Sequence, residues 1–241
     1  MQTTGTTTGW DAERVTLGRH FLRDMEGLWG SVLRMSAVVE SALTTSVRAL
    51  VDGRADLAEE VFGGERQINR SDVQVEHECL RMLALHQPVA SDLRRVATAL
   101  RINGDLERMG DLADHIARRA RKLARPARPV AIPPSLEGLA LEVLTQVRAA
   151  FDALARDDAD GARGLIAADA RVDRARQAVL RELKQSIRAE PDRVNTWLRL
   201  INTARNLERV ADHATNIAEA IVYLKEGEII RHGPGRNPAA D

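Results

Sequence analysis

Two pairs of carboxylates, each spaced four residues apart, are the side chains of this sequence best suited to chemistry. Glu107 and Asp111 lie in the segment LRINGDLERMGDLADHIA, and Glu208 and Asp212 lie in LRLINTARNLERVADHATNIAEA. Residues four apart share one face of a helix, about one turn from each other. Carboxylate oxygens suit hard multivalent cations rather than soft ones. Each pair therefore predicts half of a cation site on a helix face.

The two acidic segments are copies of one another. Aligning Leu106–Ala117 with Leu207–Ala218 repeats a Leu, a Glu-Arg pair, an Asp and the Ala, Ile and Ala that follow. A second alignment, of Ala49–Asn69 with Ala153–Asp173, extends the repeat to the preceding helix of each half. A repeat of this length predicts a duplicated structural unit.

Counting back through the loop around Pro88 brings a second set of polar side chains level with the first acidic pair. The same count through a loop near Glu190 gives the second pair a matching set. The candidate metal ligands are Glu65, Asn69, Glu107 and Asp111 in the first half, and Asp169, Asp173, Glu208 and Asp212 in the second. Because Asn69 is not acidic, we expect the second site to bind a cation more strongly.

The alternative interpretation is an exposed acidic face, paired with Arg108 and Arg209 and solvated. Clustered carboxylates without a compensating cation would raise each other's pKa values, which favours a bound multivalent ion. Because no Glu-x-x-His motif occurs in the sequence, the di-iron oxidase signature is absent. His115 and His213 lie near the acidic pairs as accessory ligands or as solvated helix histidines.

Composition places the acidic pairs in an all-α chain. Aromatic residues make up only 3% of the sequence, hydrophobic residues make up 44%, and good helix formers dominate. The formal net charge is +0, which argues against general nucleic-acid binding. Cys79 is the only cysteine, so neither a disulfide framework nor a thiolate metal site is expected. The polar N-terminus and the lack of a long apolar run predict no signal peptide, no membrane span and a cytoplasmic location.

Apolar spacing and breaker residues predict six long helices. The helices are expected from near Thr16 to Gly53, from Ala55 to His86, from Pro88 to Ala124, from Ser135 to Arg156, from Asp158 to Ala189 and from Pro191 to Glu226. Four of the eight prolines fall in residues 125–135, which we predict to be a linker. We therefore expect two tandem antiparallel three-helix bundles, residues 14–124 and 136–226, with flexible tails at 1–13 and 227–241.

No motif of enzyme catalysis accompanies the acidic pairs. The sequence holds no Gly-rich phosphate loop, no nucleophile elbow and no Cys/His pair. We therefore predict that the protein is not an enzyme.

Three segments of the sequence closely resemble the PhoU family. They are HQPVASDLR at residues 86–94, DLERMGD at 105–111 and NLERVADHATNIAE at 206–219. The resemblance covers about residues 14–226. It implies two three-helix bundles, homodimers, and multinuclear metal clusters bound on the bundle surface by acidic motifs. The metal implied is iron first, with Mg, Mn, Ca or Zn as alternatives.

The resemblance also implies a function. PhoU-like proteins are cytoplasmic negative regulators of phosphate uptake and of the phosphate-starvation response. Their expected partners are the ATPase subunit of the phosphate-specific ABC transporter and a sensor histidine kinase, with membrane association only through such partners. Two alternatives stay open from the residues: a protein that stores iron or does redox chemistry with it, and a helical adaptor without metal.

Overall fold

The computed structural model describes residues 9–124, 131–228 and 230, with side chains from residue 19 onward. In this part of the chain the helices are α1 (Gly9–Val51), α2 (Ala55–His86), α3 (Ala90–Leu123), α4 (Pro134–Arg156), α5 (Ala159–Ala168), α6 (Ala170–Ala189), a 3₁₀ turn (Pro191–Arg193) and α7 (Val194–Glu226). The described residues contain no strand, so the all-α prediction is confirmed.

The helices form two tandem three-helix bundles, as predicted. Helices α1, α2 and α3 pack against one another, and α4 and α7 pack with the α5–α6 segment. The two bundles meet mainly through α3 and α7, with a smaller contact between α1 and α4. Arg101 approaches Glu219 while Asp105 approaches His213, so α3 and α7 run antiparallel.

Apolar residues at helical spacing fill the core of the first bundle. The apolar residues that recur every three to four positions on α2 and α3 are buried, namely Leu57, Val61, Ile68, Val75, Met82, Ile102, Leu106, Met109, Ala113, Ile116 and Ala120. On α1 the apolar residues at the same spacing, Met25, Leu28, Val32, Met35 and Val39, are buried, and Ala42 packs against them at the edge. The periodicity therefore identified the inward faces of these helices correctly.

Two helix starts differ from the prediction. Helix α1 begins at Gly9, so part of the expected N-terminal tail is helical. Helix α3 begins at Ala90 instead of Pro88, because Gln87 ends α2 in the left-handed conformation at φ 43° and Val89 stays extended. A proline disfavours the α conformation in the residue before it, which explains why the chain leaves α2 at Gln87.

The helix expected from Asp158 to Ala189 is interrupted. It consists of α5 and α6, which are separated at Asp169. The predicted C-terminal turn of α1 is confirmed, because Gly53 has φ 64°. Most of the predicted linker, residues 125–130, lies outside the described residues, as do residues 1–8, 229 and 231–241.

Two glycines of α3 provide a matched test of the packing between α2 and α3. A Cβ at buried Gly110 would lie 2.9 Å from Cγ2 and 3.0 Å from Cδ1 of Ile68, whereas a Cβ at exposed Gly104 would meet nothing within 4 Å. We expect Gly110→Ala to lower the free energy of unfolding by roughly 1–3 kcal/mol through overpacking. We expect Gly104→Ala to raise it by about 0.5–1 kcal/mol, because alanine is the better helix former.

Urea denaturation of the two variants beside the wild type measures both effects. Equal changes of the same sign would show that Ile68 does not press against this turn of α3.

Candidate functional site

The acidic pairs lie beside the seam between the two bundles. Glu107 and Asp111 on α3 and Glu208 and Asp212 on α7 are all half-buried. Each glutamate directly follows a leucine that is at most 1% exposed. Because α3 and α7 also pack on each other, the acidic turns have a neighbouring helix where an isolated bundle would have solvent.

The first acidic pair faces Asp72 of α2. Burial raises the pKa of Glu107, and the nearby carboxylates of Asp111 and Asp72 raise it further, against the opposing effects of Arg108 and His213. Burial and Glu76 likewise raise the pKa of Asp72. We call Asp72, Glu107 and Asp111 the first acidic cluster.

A buried amide fixes the position of Asp72. Nδ2 of Asn103 donates to Oδ1 of Asp72 at 2.6 Å and to its main-chain oxygen at 3.1 Å. Asn103 is 2% exposed, and its Oδ1 has no hydrogen-bond partner. Asn103 precedes Glu107 by one turn on the same face of α3, so this unpaired oxygen belongs to the cluster.

Asn69 does not take the predicted place opposite Glu107. It is exposed and lines a shallow surface depression with Gly63, Arg66, Arg70 and Val73. Residues three apart on a helix differ in direction by only about 60°, and it is Asp72 rather than Asn69 that Asn103 of α3 holds by hydrogen bonds. The expectation that an asparagine weakens the first cluster therefore loses its basis.

Glu65 belongs to a different contact. Its carboxylate lies 3.9 Å from the guanidinium of Arg118, which also forms an ion pair with buried Asp114. Oδ1 of Asp114 has no hydrogen-bond partner. Glu65 therefore lies further along α3 than the predicted position opposite Asp111.

The second acidic pair contains its own cation. Nε of Arg176 on α6 lies 2.7 Å from Oε1 of Glu208, and both side chains are mostly buried. Burial raises the pKa of Glu208; Arg176 acts against that effect, whereas Asp212 and Asp173 add to it. Asp173, Glu208 and Asp212 thus lie close together, and we call them the second acidic cluster.

Asp169 lies at the break between α5 and α6 and forms hydrogen bonds with α4 and α7. Its Oδ1 accepts hydrogen bonds from Nε2 of Gln146 at 3.2 Å and from Oγ1 of Thr215 at 3.1 Å. Gln146 also donates to Thr215 at 3.0 Å. Asp169 therefore has neutral hydrogen-bond donors where the sequence suggested a metal ligand.

The two histidines near the acidic pairs have different surroundings. His115 is exposed. Nδ1 of His213 lies 2.8 Å from Oδ1 of Asp105, the same oxygen that accepts from Nδ2 of Asn216 at 3.1 Å. His213 therefore ties α7 to α3 and is not a solvated side chain.

The carboxylates of each half lie close enough to act on one another without forming a ready-made cage. Among residues 9–124 and 131–228, no three His, Cys, Asp or Glu side chains are arranged to hold a metal ion. The clusters differ in what the preceding helix contributes: Asp72 alone in the first cluster, but both Asp173 and Arg176 in the second.

Comparison with known proteins places these motifs in a family. The model of the PhoU domain matches residues 32–120 and again residues 136–221, one match in each bundle. The chain belongs to the PhoU family. The expected resemblance is thereby confirmed, and each PhoU domain contains one acidic cluster.

Curated relatives and solved structures agree with this assignment. The phosphate-specific transport system accessory protein PhoU homolog of Pseudomonas aeruginosa is 36% identical over 90% of this chain and 89% of its own length. The PhoU accessory protein of Escherichia coli is 31% identical over 92% of this chain and 94% of its own. The crystal structure of PhoU from Pseudomonas aeruginosa has a TM-score of 0.83, covering 86% of this chain and all (100%) of that one. The structure of PhoU from Streptococcus pneumoniae gives 0.79 at 26% identity, covering 87% of this chain and 98% of that one.

Sequence reasoning missed Asp72 and Arg176, although a signal for them was present. The alignment of the two PhoU domains ended at Asn69 and Asp173; three residues further on, Asp72 stands against Arg176. The opposite charges at this position are the main difference between the clusters.

In the described part of the chain, no helix is long and apolar enough to cross a membrane.

The pKa of Glu107 gives a pH-dependent prediction. Because burial raises this pKa above its ordinary value of 4.5, the folded chain binds more protons than the unfolded chain just above that pH. Stability therefore falls as the pH rises through the window from 4.5 to the raised pKa. In buffer with chelator, Glu107→Gln should melt at a higher temperature than the wild type at pH 7. The difference should disappear at about pH 4 and below.

Thermal melts across this pH range measure the effect. The exposed Glu26 provides the control, because Glu26→Gln removes the same charge without relieving burial. A Glu107→Gln variant that melts below the wild type at pH 7 would contradict the assignment of Glu107 as an uncompensated carboxylate.

Proposed function

We propose that this PhoU-family chain is a non-enzymatic regulator of phosphate transport. It acts in the cytoplasm as a negative regulator of phosphate uptake and of the phosphate-starvation response. It does so by linking the phosphate ABC transporter, through the ATPase subunit, to a sensor histidine kinase. The observation that supports this proposal is the match of both bundles to PhoU domains, together with relatives named as accessory proteins of phosphate-specific transport over nine-tenths of the chain.

The surroundings of Cys79 support a role without catalysis. Its thiol is buried between α2 and α3, where Sγ lies 3.8 Å from the main-chain oxygen of Val96. Burial, with Glu78 and Glu76, raises the pKa of Cys79 to about 12. A thiol with so high a pKa is protonated at neutral pH and is therefore a poor nucleophile.

A homodimer is part of the proposal. The outward face of α2 exposes Val73 and Leu80, which are two turns apart and 64% and 52% exposed. The shallow depression beside Gly63 continues this face toward the start of α2. Large apolar side chains left in solvent along one helix face are typical of a protein interface.

Bound metal ions are a further part of the proposal, with iron first and Mg, Mn, Ca or Zn as alternatives. The first acidic cluster fits such an ion, because Asp72, Glu107 and Asp111 offer only hard oxygen donors, and the carboxylates of Asp111 and Asp72 raise the pKa of Glu107. The ion would supply positive charge between α2 and α3. The second acidic cluster fits less well, because Arg176 already supplies positive charge there.

A helical adaptor without metal is the second candidate, and the ion pair of Arg176 with Glu208 favours it. Storage or redox chemistry of iron has less support. A storage site needs several ligands that converge on one point, and the described side chains do not converge in this way.

Deletion of the gene tests the regulatory function. A strain without this chain should express a reporter from a phosphate-starvation promoter even in phosphate-rich medium, and the wild-type chain on a plasmid should restore repression. Unchanged reporter expression in the deletion strain would count against the regulator. Co-purification of the tagged chain with the transporter ATPase tests the partner. Repeating it with chelator shows whether the binding depends on a metal ion.

A further inference from the structure

We propose that Arg176 replaces a metal ion in the second acidic cluster, so that in this chain only the first acidic cluster takes a multivalent cation. This inference rests on the metal sites included in the proposed function. It assigns those sites to one half of the molecule.

The correspondence between the two halves is secure around this position. On α2 the buried residues Val61, Ile68 and Val75 are each 104 residues before buried residues of the second bundle, since 165 − 61, 172 − 68 and 179 − 75 all equal 104. The residues of the second bundle are Leu165, Val172 and Val179. The same offset pairs Asp72 with Arg176, because 176 − 72 is also 104. Both side chains are partly buried, and both act on the glutamate of the acidic pair in their own half.

A second position changes together with this one. Asn103, whose amide holds Asp72, is 101 residues before Ala204, the offset that also relates Glu107 to Glu208. The first half therefore has an acid with a buried amide beside it, and the second half has an arginine with a buried alanine. Asn103 orients the carboxylate of Asp72 and leaves its own Oδ1 unpaired, which an alanine cannot do.

The charges explain why the two halves differ toward cations. In the second cluster the 2.7 Å contact places a guanidinium on Glu208, and a metal ion there would have to displace it or lie beside it. In the first cluster the groups that lower the pKa of Glu107 are Arg108, which is 63% exposed and 3.5 Å away, and His213. Three carboxylates and one unpaired buried oxygen line the first cluster. They do not converge on one point among the described residues, so an ion bound there would have to draw them together.

Titration of the purified full chain with Mn²⁺, after removal of metals with chelator, tests the inference. Calorimetry and the loss of the free Mn²⁺ electron paramagnetic resonance signal both report binding. We expect Asp72→Asn to weaken binding roughly 10–100-fold, the usual cost of losing a supporting ligand. The Glu208→Gln variant should bind Mn²⁺ with the same affinity as the wild-type chain.

Replacing Arg176 should create a second site. Arg176→Gln should bind more Mn²⁺ per chain than the wild type, and its melting temperature should be lower in chelator and recover with Mn²⁺. Arg176→Lys keeps the charge and should show neither effect. Arg174→Gln removes an exposed arginine two residues away and is the matched control.

The inference is overturned if Arg176→Gln binds no more Mn²⁺ than the wild type. It is also overturned if Glu208→Gln weakens Mn²⁺ binding as much as Asp72→Asn does. Circular dichroism of each variant in chelator establishes that the chain is folded before titration. The reporter strain keeps the two proposals distinct: a chain that binds no Mn²⁺ yet restores repression removes this inference and leaves the regulator, whereas the reverse result removes the regulator alone.

Discussion

The packing of α3 against α7 is the contact on which the rest of the structure depends. Each helix is the third member of its own bundle and also the main neighbour of the other bundle, so both are buried around most of their circumference. Charged groups cross this seam in pairs: His213 contacts Asp105 at 2.8 Å, and Arg101 contacts Glu219 at 3.5 Å. Because the acidic motifs lie on these two helices, their carboxylates are half-buried, and partial burial makes the charge of each cluster costly unless it is compensated.

Duplication has preserved the framework of the two halves more strictly than their charges. Val61, Ile68 and Val75 of α2 agree in type and burial with Leu165, Val172 and Val179 of α5–α6, because a close-packed interior tolerates little change in volume. Asp72 and Arg176 lie among these positions and yet have opposite charge. The side chain there is constrained by the charge balance of the cluster rather than by packing, so one half can contain a cation within the chain while the other leaves its carboxylates uncompensated.

Apolar periodicity and the internal repeat predicted the bundles and the core faces, because these features follow from helical spacing alone. The half-burial of the acidic pairs was not predicted, because it depends on the packing between the bundles. Periodicity could not identify Asp72. Counting through a loop gives the level of a residue along a helix, but small changes in the loop rotate the helix, and a rotation of this kind exchanges Asn69 for Asp72. The contact between α3 and α7 was equally beyond reach, because apolar stripes do not specify which partner they cover. The break at Asp169 depends on hydrogen bonds from Gln146 and Thr215, on two other helices.

His213 of the second bundle lies near the first acidic cluster, so both bundles contribute to the surroundings of that cluster. His213 on α7 lowers the pKa of Glu107 on α3, and His213 also contacts Asp105. In the first bundle Leu112 stands where α7 has His213. Positive charge placed at the first cluster therefore acts on a contact that joins the bundles. Positive charge at the second cluster, supplied by Arg176, stays within the second bundle and is permanent. Under the proposed assignment of the cation to the first cluster, its binding or loss would act on the contact that joins the bundles, whereas the charge of Arg176 would not change.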